Sequence, residues 1–412
     1  YEIPLRLVGS EMCIRDSAHT VGYSVLGGYG LEDTQKLNLL TSHVDFWTKL
    51  KNEFLGVKTQ GDTLVTTLDS GLQDFCYRQL DGKTGSITVV EPSTGKILAM
   101  VSSPNFDPNT VEEQWSWLTS EENTTQNMMN HATQGTYPPG STFKLITLLE
   151  YIRENPDTWQ DFHYTCTGTY TNGDYVVNCH DGVAHGELDI YGILGMSCNG
   201  AFDTIAQTLN STKWQKLAED FGYNQSDRSQ VDFAYKKSHF DIASDDSVWS
   251  RMQLAIGQGT TTVTPLLNLM MYAAIANDGV MMTPYLVDHY LDANGNVVEQ
   301  TKPKALRSVC TKAEAELMDE FLTYVITNGT AAAGGSQYAR VSGKTGSAQY
   351  DSTKNYHAWF CGYGTNDVSE IAVCVMIEKG GAGGIVAAPV AGQIFDYYFS
   401  LSLIHISEPT RR

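Results

Sequence analysis

Ser141 and Lys144 stand three residues apart in the stretch Tyr137-Pro138-Pro139-Gly140-Ser141-Thr142-Phe143-Lys144. Positions three apart on a helix share a face, so the hydroxyl and the amine can meet there. A serine hydroxyl is a poor nucleophile near neutral pH, whereas one beside a neutral lysine amine has a base to take its proton. A Ser-x-x-Lys pattern at a helix start is common by chance. Two further stretches in fixed order make it specific: Ser197-Cys198-Asn199 and Lys344-Thr345-Gly346-Ser347. Together they point to acyl transfer through a serine nucleophile.

The elements that must carry these groups are legible around them. After the Pro-Pro-Gly turn come Leu145, Ile146, Leu148, Leu149 and Ile152, apolar at helical spacing, so Ser141 falls in the first turn of a buried helix. Ser197 to Asn199 precedes a second helical pattern, Phe202, Ile205, Ala206 and Leu209. Lys344 to Ser347 lies in the first of three expected antiparallel strands, 341–349, 357–363 and 371–377, with a closing helix over 387–399. Upstream, a strand at 63–69, a helix at 72–80 and a hairpin of 86–90 with 96–102 through Glu91-Pro92-Ser93-Thr94-Gly95 open the domain. Thr264-Pro265 starts a helix whose stripe of Leu266, Leu267, Met270, Met271 and Ala274 reads as core. Thr311 with Glu314 forms a capping box for another, through Leu317, Phe321 and Val325. Residues 105–130 read as a polar surface excursion, 224–247 as a solvated insertion, and 331–336 as a flexible Ala/Gly stretch.

Both ends are set aside before fold reasoning. Leu7 to Ser17 can be encoded by a DNA segment whose reverse complement encodes Leu401 to Thr410. Inverted copies at the two ends of one protein resemble a library-preparation adapter, so 1–17 and 401–412 are expected to be translated scars. That leaves 412 − 17 − 12 = 383 residues, read as the remnant of another domain over 18–61 and a catalytic domain over 62–400. The net charge of −20 does not suit nucleic acid or an anionic membrane surface, so no nucleic-acid partner is expected.

Eight cysteines fall to seven without Cys13. Cys166 and Cys179 flank a turn-like segment, and a disulfide across it is open outside the cytoplasm. With His180 and His185 they make a superficially zinc-like set. Adjacent Cys179 and His180 point to opposite faces of a strand, so no metal is expected. Cys198 reads as a small packed side chain.

From about residue 61 to 399 the chain resembles the transpeptidase domain of class B penicillin-binding proteins, the monofunctional peptidoglycan D,D-transpeptidases. The resemblance rests on the three motifs together with Thr67-Leu68-Asp69, Leu72-Gln73, Glu91 to Gly95, Gly257-Gln258-Gly259 with Thr264-Pro265, and His357-Ala358-Trp359-Phe360. It implies an α+β fold of the penicillin-binding/serine β-lactamase type, an antiparallel sheet flanked by helices, with 18–61 as the tail of a pedestal. It also implies roles: Ser141 as nucleophile on a D-Ala-D-Ala stem peptide, and Lys144 as base, kept neutral by burial and the charge of Lys344. Ser197 would relay a proton and Asn199 would hold the substrate amide. Lys344, Thr345 and Ser347 would bind the terminal carboxylate, Gly346 would allow close approach, and the N–H groups of Ser141 and Ser347 would form an oxyanion hole. No cofactor is implied. The expected partners are peptidoglycan stem peptides, β-lactams and a membrane glycosyltransferase, at the outer face of the bacterial cytoplasmic membrane. A class A β-lactamase is disfavoured, because no Glu-x-x-x-Asn lies between Asn199 and Lys344. A D,D-carboxypeptidase and a β-lactam sensor remain as alternatives.

Overall fold

The computed structural model describes residues 16–43, 46–56, 61–225, 231–353 and 355–407. In chain order, helix α1 (Ser70–Leu80) starts at Asp69, whose carboxylate accepts from Leu72 N. Strands β1 (Gly85–Val90) and β2 (Ile97–Ser103) form the expected hairpin. Helix α2 (Lys144–Glu154) follows a short 3-10 turn, Gly140–Phe143. Four short strands come next: β3 (His163–Cys166), β4 (Thr169–Asn172), β5 (Tyr175–Asn178) and β6 (Gly186–Asp189). Then come α3 (Asn199–Ala206), α4 (Pro265–Ala276) and α5 (Lys312–Asn328). The chain closes with β7 (Arg340–Gln349), β8 (Tyr356–Thr365), β9 (Glu370–Ile377) and α6 (Gly383–Ser407).

The central sheet is antiparallel, in the order β7-β8-β9-β1-β2. Side chains alternate across a strand, and β8 shows what each face meets. Phe360 lies edge-on to Phe395 of α6, whereas Trp359 donates its Nε1–H to Pro138 O at 3.1 Å. One face is thus covered by α6 with α1, where Phe75 stacks on Tyr397. The other carries the Ser141 turn and α4. The capping residues fall where expected: Thr264 accepts from Leu267 N ahead of Pro265, and the Thr311/Glu314 box is complete. Among the described residues β7 is an edge strand paired only with β8, and such an edge can take an extended ligand.

Several stretches differ from their sequence reading. Residues 105–118 include a helix, Val111–Leu118. Phe106, Val111 and Leu118 form a small second core with Ala18 and Tyr23, so the excursion is what the pedestal remnant rests on. Asp16 and Ser17 are buried, and the Asp16 carbonyl accepts from Gln73 Nε2 at 3.0 Å. The rest of the proposed N-terminal scar, and 408–412, lie outside the described residues. In 46–54 the apolar stripe does form on a helix, but Phe46, Trp47 and Phe54 are 70%, 74% and 90% exposed.

The described part of 224–247 is not a solvated insertion. Phe240 is fully buried, with ring centroid 4.9 Å from Phe143 and 5.3 Å from Trp214. The isolated apolar residues Phe233, Phe240 and Ile242 lack a period, which hid their burial. Nor is 331–336 an open linker: a Cβ on Gly334 would meet the Phe360 ring at 2.5 Å. Because Phe240 supports the residue two beyond Ser141, Phe240→Ala should cost about 3–5 kcal/mol. Urea denaturation checks this, and a loss below about 1 kcal/mol would return the segment to a surface role.

Candidate active site

The turn that carries Ser141 depends on close backbone contacts. Gly140 has φ +57, a left-handed value that favours glycine, and a Cβ there would sit 3.0 Å from the Ala348 Cβ. Its N–H donates to Gly257 O at 2.9 Å. A Cβ on Gly257 would lie 2.2 Å from Gly140 O, which gives the Gly257-Gln258-Gly259 stretch its purpose. A Cβ on Gly346 would lie 2.9 Å from Pro139 O and 3.2 Å from Thr142 Cγ2. The close approach expected at Gly346 is therefore made by the nucleophile turn itself.

Helix α4 grips the same turn. Asn268 Nδ2 donates to Thr142 Oγ1 at 3.0 Å, and the Tyr272 hydroxyl donates to Thr142 O at 2.8 Å. These residues are four apart on one helix face. Sequence reasoning passed over both by treating the helix as pure core; an asparagine among apolar neighbours was the available signal.

Ser141, Ser197, Asn199 and Ser347 are half-buried, while Lys144 and Lys344 beneath them are fully buried. Ser141 and Lys144 share a helix face as expected, yet no hydrogen bond joins them, and the Ser141 hydroxyl has no hydrogen-bond partner among the described residues. Lys144 Nζ instead donates to Ser197 O and Asn199 Oδ1, both at 2.8 Å, and lies 3.3 Å from Ser197 Oγ. A neutral amine has two N–H donors and one lone pair. The two carbonyl-type acceptors use the donors, and the lone pair is left for a hydroxyl. Ser197 adopts a left-handed φ of +53 to present both its carbonyl and its hydroxyl.

Burial pushes the Lys144 amine down to about 8, against the opposing pull of Cys198, Cys179 and Asp203. Burial also pushes Lys344 well below its ordinary value, and Lys144 adds to that. The electrostatic expectation is therefore corrected: Lys344 is not among the groups that lower Lys144, which burial depresses; the like charge of Lys144 acts instead on Lys344. Lys344 Nζ donates to Thr345 O at 3.0 Å. Its buried amine is not a surface contact, so the reachable hydroxyls of this strand belong to Thr345 and Ser347. Thr345 Oγ1 pairs with Thr330 Oγ1 at 3.0 Å, and Ser347 Oγ accepts from Gly383 N at 3.0 Å.

The expectation of no metal-binding group meets a different geometry. Cys166, Cys179, His185 and Cys198 bring their ligand atoms within 4.8 Å of one another. Cys166 Sγ lies 3.6 Å from Cys179 Sγ and 3.4 Å from His185 Nδ1, and Cys179 Sγ lies 3.8 Å from Cys198 Sγ. Two thiolates at about 2.3 Å from one tetrahedral zinc stand about 3.8 Å apart, and a thiolate and an imidazole about 3.5 Å. A disulfide would need about 2.05 Å, and all seven described cysteines are free thiols. The donor set fits tetrahedral zinc. His180, half-exposed against Tyr356, is not part of it. Cys179 and His180 lie in a turn past the strand end and not in the strand that the sequence argument assumed, and Cys198, which folding brings from the neighbouring motif, was not considered in it.

A hydrogen bond from Cys198, and the backbone N–H groups of Asn199 and Gly200, pull the Cys179 thiol down towards thiolate. The β4–β5 hairpin also steadies the lysine contact directly, because Asn199 Nδ2 donates to Asn178 O at 2.8 Å.

A turn-borne serine above a buried lysine, with Ser197, Asn199 and a Lys-Thr-Gly edge strand, defines a serine acyl-transfer site on a helix-flanked antiparallel sheet. The penicillin-binding protein transpeptidase domain matches residues 85–396, and the chain belongs to that family. It is 29% identical over 365 residues to the peptidoglycan D,D-transpeptidase MrdA of Acinetobacter baumannii, covering 82% of this chain and 54% of that protein. It is 28% identical to PbpA of Mycolicibacterium smegmatis, covering 90% and 79%. Among solved structures, the ceftriaxone acyl-enzyme complex of penicillin-binding protein A from M. tuberculosis superposes with a TM-score of 0.82 at 25% identity, covering 92% of this chain and 90% of that one. A D,D-transpeptidase domain from Eggerthella lenta gives 0.83 at 26%, covering 95% and 92%.

For the thiol cluster, protein purified under reducing conditions should contain close to one equivalent of zinc by atomic emission. Cys166→Ser combined with His185→Ala should remove it and lower the thermal midpoint by several degrees. Metal-free protein whose melting ignores a chelator would show that the four groups are a packed thiol cluster only.

Proposed function

We propose that this domain is a peptidoglycan D,D-transpeptidase that forms an acyl-enzyme at Ser141. The observation that carries the reading is the fully buried Lys144 amine, pushed down to about 8 and held by Ser197 and Asn199 one helical turn from a half-buried serine. The family membership and the relatives' names support the reaction class.

In this reading Lys144 takes the Ser141 proton as the hydroxyl attacks the carbonyl of the penultimate D-Ala. The backbone N–H groups of Ser141 and Ser347 receive the oxyanion, each worth about 3 kcal/mol in comparable sites. Ser197 passes a proton from the lysine to the departing D-Ala nitrogen. Asn199 orients the stem amide, and Thr345 and Ser347 receive the terminal carboxylate, with Lys344 beneath supplying charge once the carboxylate arrives. Gly346 keeps this strand against the nucleophile turn. An amine from a second stem peptide then displaces Ser141. No step calls for a cofactor.

β-Lactams acylate the same serine, as the acyl-enzyme complex of the mycobacterial relative suggests by analogy. The finer proposal of a membrane glycosyltransferase partner draws support from a 25%-identical neighbour that belongs to a peptidoglycan synthase complex coordinating polymerization and crosslinking, and a place outside the cytoplasmic membrane follows from the peptidoglycan substrate that the relatives' names give. Among the described residues no helix is long and apolar enough to cross a membrane. A water-accepting carboxypeptidase and a sensor use the same residues, so turnover with an amine acceptor separates the three.

Intact mass after incubation with benzylpenicillin should show one covalent adduct on the wild type and none on Ser141→Ala. Lys144→Ala should slow acylation roughly 10²–10⁴-fold while the domain stays folded; labelling at the wild-type rate would remove Lys144 from the role of base. The pH profile gives an independent check. Because the amine acts only unprotonated, acylation should rise about tenfold per pH unit up to about 8 and level off above it. A flat profile between pH 6 and 8 would contradict a titrating lysine base.

A further inference from the structure

On the connection that leads from β9 to the acylation site lies a cavity of about 680 Å³. Its lining includes Lys83 and Thr84 ahead of β1, His131, and Glu378 and Lys379 just after β9. The segment from Glu378 to Gly383 joins the two places. At one end Glu378 lines the cavity; at the other Gly383 N donates to Ser347 Oγ. A Cβ on Gly383 would lie 2.3 Å from Gly346 O, so the segment lies against the Lys-Thr-Gly strand. Tyr137 makes a second link. It is four residues before Ser141, hence at most about 14 Å from it along an extended chain, and its hydroxyl donates to Glu378 Oε1 at 2.8 Å.

The polar groups here are arranged for an occupant. His131 is 1% exposed, and its Nδ1 lies 2.6 Å from the Tyr137 oxygen and 3.0 Å from Glu378 Oε1. The single tyrosine proton goes to the carboxylate, so Nδ1 is the donor on the histidine. In the neutral ring Nε2 is then a bare acceptor, and it is buried with no partner. Glu378 spends Oε1 on Tyr137 and His131, while Oε2 takes no hydrogen bond from the described residues. Burial pushes this carboxyl up, but the hydrogen bonds from His131 and Tyr137 more than offset it and hold it below the usual range. Two unspent acceptors, one of them anionic, can take two of the three donors of a primary ammonium. Two exposed lysines flank them: Lys379, held at a left-handed φ of +53, and Lys83, which makes a 3.4 Å contact to the exposed Asp81. They suit a carboxylate on the same ligand.

We propose that this cavity is the subsite for the incoming acceptor of the second half-reaction, an amine-bearing peptide end with a carboxylate beside the amine. Glu378 and His131 take the ammonium, and Lys83 with Lys379 take the carboxylate. The acceptor gathers there as the ammonium, gives one proton to solvent, and delivers the neutral amine to the Ser141 ester. In that transfer the new C–N bond forms, the C–O bond to Ser141 breaks, and the amine's remaining surplus proton returns to the serine oxygen through Lys144. The inference rests on the transpeptidase reading above and adds where its acceptor sits.

The test uses the whole chain with a D-alanyl thioester donor, and D-alanine or D-alaninamide as acceptor probe. Aminolysis and hydrolysis products arise from one acyl-enzyme, so their ratio is independent of how fast each variant acylates. Glu378→Gln should lower that ratio about tenfold at fixed D-alanine. The Lys83→Gln/Lys379→Gln variant, altered only at exposed positions, should erase a preference for D-alanine over D-alaninamide. An unchanged ratio in the first, or an unchanged preference in the second, overturns the assignment. So does a wild type that acylates and only hydrolyses. Should Glu378→Gln fail to fold and acylate, the lysine variant decides alone. Absence of acylation in the wild type would instead strike the transpeptidase reading.

Discussion

An ammonium buried without a counter-charge costs far more than a neutral amine in the same place. The fold places two lysine amines in that position, Lys144 and Lys344, both fully buried. Among the described residues no anionic partner touches either: Lys144 meets a carbonyl, an amide oxygen and a hydroxyl, and Lys344 meets a carbonyl. Such partners suit N–H donors without demanding a positive charge. Burial therefore produces a base that is available near neutral pH. The surroundings keep it from being entirely neutral there, since Cys179, Cys198 and Asp203 pull its pKa back up. Asp203 is itself buried with neither oxygen hydrogen-bonded, and burial pushes its carboxyl well above the ordinary value. Asp203 and Lys144 favour each other's charged forms, while burial disfavours charge on both.

Keeping water from the amine requires the backbone around it to close tightly, and glycine supplies the closure. Gly140, Gly257 and Gly346 lie where a Cβ would strike the neighbouring turn or strand. Each joins a different piece of the chain: the nucleophile turn, the approach to α4, and the edge strand. The α4 helix adds Asn268 and Tyr272 on Thr142, so the turn is fixed from below by hydrogen bonds and from the side by packing. The nucleophile is thus positioned by rigid elements, and the outer edge of β7, unpaired among the described residues, can take an extended ligand.

What could be read in the sequence was whatever is local. The capping residues Thr264 and Thr311, the β1–β2 hairpin and the three closing strands each carry their signal within a few residues, and the structure places them as expected, whereas Asp69, read as the end of a strand, caps α1 instead. The three motifs were legible because their spacing in the chain is itself the signature. What escaped was assembled from distant pieces. Phe240 has no periodic neighbours to announce its burial. Residues 105–118 show their apolar side only once Ala18 and Tyr23 lie against it. His131 and Glu378 are 247 positions apart (378 − 131), yet they meet directly and through Tyr137.

The thiol cluster makes the same point chemically, and it bears on the active site. Cys198 sits between Ser197 and Asn199, the two residues that hold Lys144, so anything that fixes its sulfur fixes both contacts to the amine. Two attachments converge on that short segment: the sulfur of Cys179, and the carbonyl of Asn178 through Asn199 Nδ2. Both come from the end of the β4–β5 hairpin, a small and mostly exposed unit with little apolar burial of its own. Such a hairpin is marginal in water unless something ties it down. Four convergent soft and borderline donors at tetrahedral spacing are a means of doing so. The base of the acyl-transfer site would then be positioned from two sides by different physics, close apolar packing beneath α2 and coordination chemistry above it.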